Sequence, residues 1–259
     1  MAGNNRLVGR NAILLSLNAL FGPTPVPLAI QQCESLLADG LGNRRIESSI
    51  MCKLAQLKAM NGELTAARHL YRRGRATLRD LGQGVFTAAT GLDLARVEMH
   101  GGDLADAERE VRADYEFLAR MGERFYLSTM AALLSRLVRD QGRDEEALRL
   151  SQAAEAATAS DDIESQALWR SIRAPIVARA GDLAQAESLA RSAYEFASRT
   201  EAPVMQADCL VELASVLSLA GDRVQAKRVI GQAIDLYIAK GNRTAAAAAR
   251  SWAEHVDRN

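Results

Sequence analysis

Apolar residues recur along this chain at the i, i+3, i+4 spacing of helices with one apolar face, in blocks broken by glycine. Placed in register on Gly62, Gly102, Gly142, Gly181 and Gly221, the blocks repeat at intervals of 40, 40, 39 and 40 residues. Eight residues before the glycine stand Leu54, Leu94, Leu134 and Leu213, with Arg173 breaking the column in the fourth block. Seven before it the residue is small (Ala55, Ala95, Ser135, Ala174, Ala214), and five before it branched and apolar (Leu57, Val97, Leu137, Ile176, Val216). Five after it comes alanine every time: Ala67, Ala107, Ala147, Ala186 and Ala226. Twelve after it come Gly74, Asp114, Ala154, Ala193 and Ala233. Each block therefore predicts two amphipathic helices that approach closely at the alanine. The glycine ends the first helix in a left-handed conformation, which needs no Cβ. Asp103, Asp182 and Asp222 then stand where a side chain can cap the second helix.

Self-similarity at a fixed period of this size is the mark of a solenoid of stacked helix pairs. A HEAT-like unit has a matching period. The Gly-to-Ala spacing of five and the small residue seven before the glycine favour tetratricopeptide-like units. The expected fold is all-α: a right-handed superhelical solenoid of antiparallel helix pairs, about 40 residues per repeat. It forms one domain over residues 1–259, with five repeats at 44–82, 85–122, 125–160, 164–200 and 203–240. Residues 6–39 read as a degenerate first pair, with Pro23, Pro25 and Pro27 in its connector, and 243–256 as a closing helix. Arg6 and Arg10 before the apolar run at 12–17 faintly resemble a signal peptide. Asn18 interrupts that run and Gly22-Pro23 follows it, so a helix is the expected reading.

Formal net charge is zero, from 32 basic and 32 acidic residues, which argues against a general nucleic-acid or membrane-surface binder. The cysteines Cys33, Cys52 and Cys209 are far apart and odd in number, as expected of a reducing cytoplasm rather than a disulfide framework. His69, His100 and His255 are scattered, H-E-x-x-H is absent, and there is no G-x-x-x-x-G-K-[ST] phosphate loop. His100, beside Gly101, reads as a residue satisfying helix-end carbonyls. No enzyme activity, cofactor or metal is expected.

Four strings stand apart from the repeat: Gly22-Pro23-Thr24-Pro25-Val26-Pro27, followed by Ala29-Ile30 and Cys33; Gly122-Glu123-Arg124 with Tyr126-Leu127-Ser128-Thr129; Ser165-Gln166-Ala167-Leu168-Trp169-Arg170; and Asp235-Leu236-Tyr237 with Lys240-Gly241-Asn242. Of these, Gly22-Pro23-Thr24-Pro25 and Ser165-Gln166-Ala167-Leu168-Trp169-Arg170 are more specific than a generic repeat consensus. On these the chain, over about residues 12–250, resembles the tetratricopeptide-like C-terminal region of large bacterial signalling proteins. In those proteins a regulatory signal-transduction ATPase accompanies a nucleotidyl cyclase domain or a LuxR-type DNA-binding domain. The resemblance implies a regulatory role toward such an output domain. It implies no catalysis here, because the catalytic and nucleotide-binding parts lie outside the matching region.

Recognition is then the expected work: a protein or peptide partner, with no direct nucleic-acid contact and no membrane. A small ligand in the superhelical groove is the alternative. In stacked pairs the first helices line the concave face. Positions six and three before the glycine place Gln56, Arg96, Arg136 and Arg139 there, a candidate basic ladder for an acidic segment. Trp169, Arg170 and Arg173 form a second candidate cluster, suited to an anion through stacking and charge, or to pinning the nearby loop through Glu164 or Asp162. Pro175 removes a hydrogen bond from the same helix and predicts a kink. The alanine-rich stretch 245–249 suits either capping the array or docking a second copy.

Overall fold

The computed structural model describes residues 2–256, with side chains from Gly9 onward. Within them the elements are α1 (Ala2–Phe21), α2 (Val26–Ala38), α3 (Arg44–Met60), α4 (Leu64–Asp80), α5 (Gly84–Ala89), α6 (Gly91–Glu98), α7 (Leu104–Arg120), α8 (Leu127–Asp140), α9 (Asp144–Ala157), α10 (Ile163–Arg179), α11 (Leu183–Ser198), α12 (Pro203–Leu219), α13 (Arg223–Lys240) and α14 (Arg243–Val256). Sequence neighbours pack as pairs, and α3, α6, α8, α10 and α12 stack in that order along one side. The aligned columns form the core: the small residues seven before each glycine and the alanines five after it are buried. Gly74 shows why the helices meet so closely, since a Cβ there would lie 2.9 Å from the Ser48 carbonyl and 3.0 Å from Cys52 Sγ.

The turns follow the pattern with one shift. Gly62, Gly142, Gly181 and Gly221 hold φ between +82° and +99°. In the second repeat it is Gly101 that is left-handed, at +103°, rather than Gly102. Gly102 is held to glycine by proximity instead, since a Cβ would fall 2.9 Å from Glu98 Cα. Asp103, Asp182 and Asp222 cap α7, α11 and α13 through backbone N–H groups two or three residues on.

Helix α10 continues through Pro175, from Ile163 to Arg179. One local expectation is corrected: the first helix of the second repeat is not single but is divided at Thr90 into α5 and α6. There Arg75 reaches across from α4, donating to the Thr87 carbonyl and to Thr90 Oγ1, at 2.7 and 2.9 Å. A side chain inserted into the backbone ladder divides a helix.

The array also closes on itself. The α13–α14 turn meets the end of α1, the α1–α2 connector, and the turns after α3 and α6, while α14 packs on α13 and reaches α3. Thr244 Oγ1 lies 2.7 Å from His100 Nδ1 and contacts the Ala59 and Met60 carbonyls. His100 is therefore engaged by a side chain 144 residues away, not by the carbonyls of its own helix end. Ala246 and Ala249 are buried within the chain, so this face of α14 caps its own array.

Candidate functional site

The inner face, where α6, α8, α10 and α12 stand side by side, carries arginines and carboxylates that pair across the stack. Arg96 of α6 reaches Glu164 at the start of α10, 2.6 Å away. Arg136 of α8 lies 3.8 Å from Asp208 of α12 and 3.8 Å from Asp140. Arg139 donates to Glu212 of α12 at 2.8 Å, and both side chains are only 9% exposed. Each pairing skips the helix between, so the three ties draw alternate repeats together. The expected ladder exists as a row of residues, but it is not a free basic surface: every arginine in it already has a carboxylate. Burial opposes the charge of Arg136, yet Asp208, Asp140 and Glu212 together raise its pKa above the ordinary arginine value. Its Nε finds no hydrogen-bond partner among the described residues.

Gln56 does not share this face. It is 1% exposed, and its amide donates to Asp93 of α6, which Lys53 also pairs with at 2.6 Å. Its position in the column is right, but a carboxylate on the adjacent helix draws it inward.

Trp169, Arg170 and Arg173 do come together, as a packed stack rather than a receptor. Trp169 is 4% exposed among Ala131, Ala132, Ala154 and Ile172. The two guanidiniums lie 4.1 and 4.4 Å from its ring centroid. Arg173 donates to Ser151 and Glu155 on α9, at 2.7 to 3.0 Å, so it pins α10 to α9. The loop partners expected for it are engaged elsewhere: Asp162 caps α10, and Glu164 holds Arg96. Cys33, Cys52 and Cys209 are free and buried, and burial pushes each thiol pKa up, Cys33 to about 11.

Between α8, α10 and α12 the inner face opens into a cleft of about 460 Å³. Arg139, Glu212, Asp140 and Pro175 line it, and the Arg179–Asp144 pair stands at its edge with two contacts of 2.6 Å. Arg179 and Asp144 are 41% and 34% exposed, so this pair meets solvent. Of these groups only Arg139 was marked by the repeat columns. Glu212 and Asp208 lie nine and thirteen residues before Gly221, and an acidic pair on a face otherwise read as basic was the available signal. Lys240, fully buried at the ring closure, was also missed. The described residues contain no group of three or more His, Cys, Asp or Glu placed to hold a metal, and no helix long and apolar enough to cross a membrane.

No protein-family model and no curated protein matches the sequence. Solved structures do match the fold. The chain is similar to NprR, solved in complex with its cognate peptide NprX, with a TM-score of 0.66 and 14% identity over 91% of this chain and 69% of that one. It is also similar to BtubC from P. vanneervenii, with a TM-score of 0.56 and 16% identity over 83% of this chain and 89% of that one. The fold is therefore a tetratricopeptide-like helical repeat.

Proposed function

We propose that this chain is a non-enzymatic peptide-binding module, regulatory in role, that takes an extended peptide along its inner face. The observation that carries the reading is the cleft between α8, α10 and α12, with charges of both signs on its walls and one exposed ion pair at its edge. Carboxylates of an incoming peptide take over Arg139 and Arg179, and its cationic groups take the released Glu212 and Asp144. A partner with both signs suits this face better than a purely acidic one, because the arginines here are matched by carboxylates. The cleft is charged and Trp169 lies buried outside it, which favours a peptide over a small apolar ligand. NprR supports the reading as a protein of this fold solved with a peptide bound. The specific strings support a regulatory role toward a cyclase or DNA-binding output domain, in the cytoplasm.

The test is a peptide-display selection on the full chain, with the selected peptides then measured against variants. Arg139→Glu weakens binding at least tenfold. The swapped pair, Arg139→Glu with Glu212→Arg, restores the internal ion pair and stays weak. Binding regained in the swapped pair would mean that Arg139 only holds the helices together, and the reading would fail.

A further inference from the structure

Arg136 differs from the other arginines of the inner face. Arg96, Arg139 and Arg179 each meet a carboxylate at 2.6 to 2.8 Å. Arg136 meets Asp208 and Asp140 only at 3.8 Å, beyond hydrogen-bond reach. Both of those carboxylates are engaged elsewhere: Asp208 accepts from the Tyr237 hydroxyl, and Asp140 from Arg139 Nε at 2.9 Å. The Arg136 side chain is 23% exposed, and its Nε is buried without a partner among the described residues. A guanidinium carries five N–H donors in a fixed plane, so Arg136 presents donors that neither carboxylate takes up.

Its place gives those donors a use. Arg136 precedes Arg139 by one turn of α8, and Asp208 precedes Glu212 by one turn of α12. The loose pair therefore continues the wall of the α8–α10–α12 cleft by about 5 Å beyond the tight Arg139–Glu212 pair. On α10, between them, Pro175 lines the same cleft and has no N–H for the Ser171 carbonyl one turn back. Arg139 reaches the next carbonyl of that helix, at Ile172, 3.4 Å away. One stretch of the inner face thus offers spare donors on α8 and a carbonyl short of its helical donor on α10.

A peptide main chain has the matching groups, a C=O and an N–H in each residue. A carboxylate matches less well. Arg136 and Arg139 already face Asp140, Asp208 and Glu212, so an anion would be the fourth negative group against two positive ones. A carbonyl adds an acceptor and no charge. Nor do the neighbouring carboxylates depend on Arg136. Without it Asp208 keeps Tyr237 and Asp140 keeps Arg139, and at 35% and 30% exposed both retain water. A largely buried ion pair without hydrogen bonds is the kind that an apolar side chain replaces without loss of stability.

We propose that Arg136 reads main-chain carbonyls of the bound peptide, so that this part of the cleft selects an extended backbone whatever its side chains. The inference rests on the peptide-binding reading of the inner face and divides its contacts: Arg139 and Arg179 take the peptide's carboxylates, and Arg136 takes its backbone.

The probe is the tightest peptide from the display selection, with copies in which one amide at a time is replaced by an ester, a weaker carbonyl acceptor. Arg136→Met binds the peptide at least tenfold more weakly than the wild-type chain. One ester position weakens binding to the wild type about fivefold and weakens binding to Arg136→Met no further. Replacing the peptide's acidic residues by alanine weakens both chains alike. Arg136→Lys keeps the charge without the planar fork and stays weak. In urea without peptide, Arg136→Met unfolds at or above the wild-type midpoint. The proposal is overturned if Arg136→Met binds as the wild type does or lowers that midpoint, if Arg136→Lys recovers binding, or if no ester position is coupled to Arg136. Coupling of Arg136 to the peptide's acidic side chains instead would leave the peptide-binding reading standing and sink this one. A selection that returns no peptide would remove both.

Discussion

The two halves of the inner face use charge in opposite ways. Within the first two repeats two carboxylates are locked inside: Asp93 by Lys53 and Gln56, and Asp114 by bidentate Arg75. Along the last three repeats Arg136 with Asp208 and Arg179 with Asp144 stay partly exposed, and the cleft opens between the helices. The repeat frame is the same in both halves, with the same buried alanines and the same glycine turns. The difference is water. Charges buried without solvent cannot change partners cheaply, whereas pairs at a wet cleft can. The first half is therefore fixed, and in the second the half-exposed Arg179–Asp144 pair at the cleft edge is exchangeable, although Arg139–Glu212 beside it is as buried as Arg75–Asp114.

The largest expected effect breaks the fixed half. Arg75→Leu leaves Asp114 buried without its partner, and urea denaturation should show a loss of about 3–5 kcal/mol. Next comes acid. Burial, then the neighbouring Arg136, lowers the His100 pKa from 6.5 to about 4. Between those values the unfolded chain binds more protons than the folded one, so this contribution to stability falls as pH drops from 6.5 toward 4. The loss is about 3 kcal/mol in all, measured as the difference between wild type and His100→Gln across that window. In the exchangeable half, Glu212→Gln loses one charged hydrogen bond while Arg139 keeps Asp140, and about 2 kcal/mol is expected. Smallest is Arg96→Ala, whose partner Glu164 is 47% exposed; calorimetry should find under about 1 kcal/mol. A reversal of this order, with Glu212→Gln costing more than Arg75→Leu, would erase the distinction between the halves.

Much of the frame was legible because it is local. Glycine, alanine and leucine columns at a 40-residue period reflect contacts between neighbouring helices, and periodicity reports such contacts directly. The charged network was not legible, because its partners are remote. Arg75 meets Asp114 39 residues on, Arg139 meets Glu212 73 residues on, and Lys240 meets Gly22 218 residues back. Asp114 did leave a trace, standing in a column otherwise filled by glycine and alanine. Arg173 left a similar one, and it also turned out to hold two helices together. The division of the second repeat's first helix was not legible: Arg75, from a different helix, meets it there through the Thr87 carbonyl. A break made by a partner is invisible to a reading of the broken segment alone.

The most direct measurement is the hydrogen-exchange footprint of a selected peptide on the full chain. The account predicts protection at the last turn of α8, in α10 around Pro175, and in α12 around Glu212. Protection confined to α9, α11 and α13, or none on binding, would contradict it.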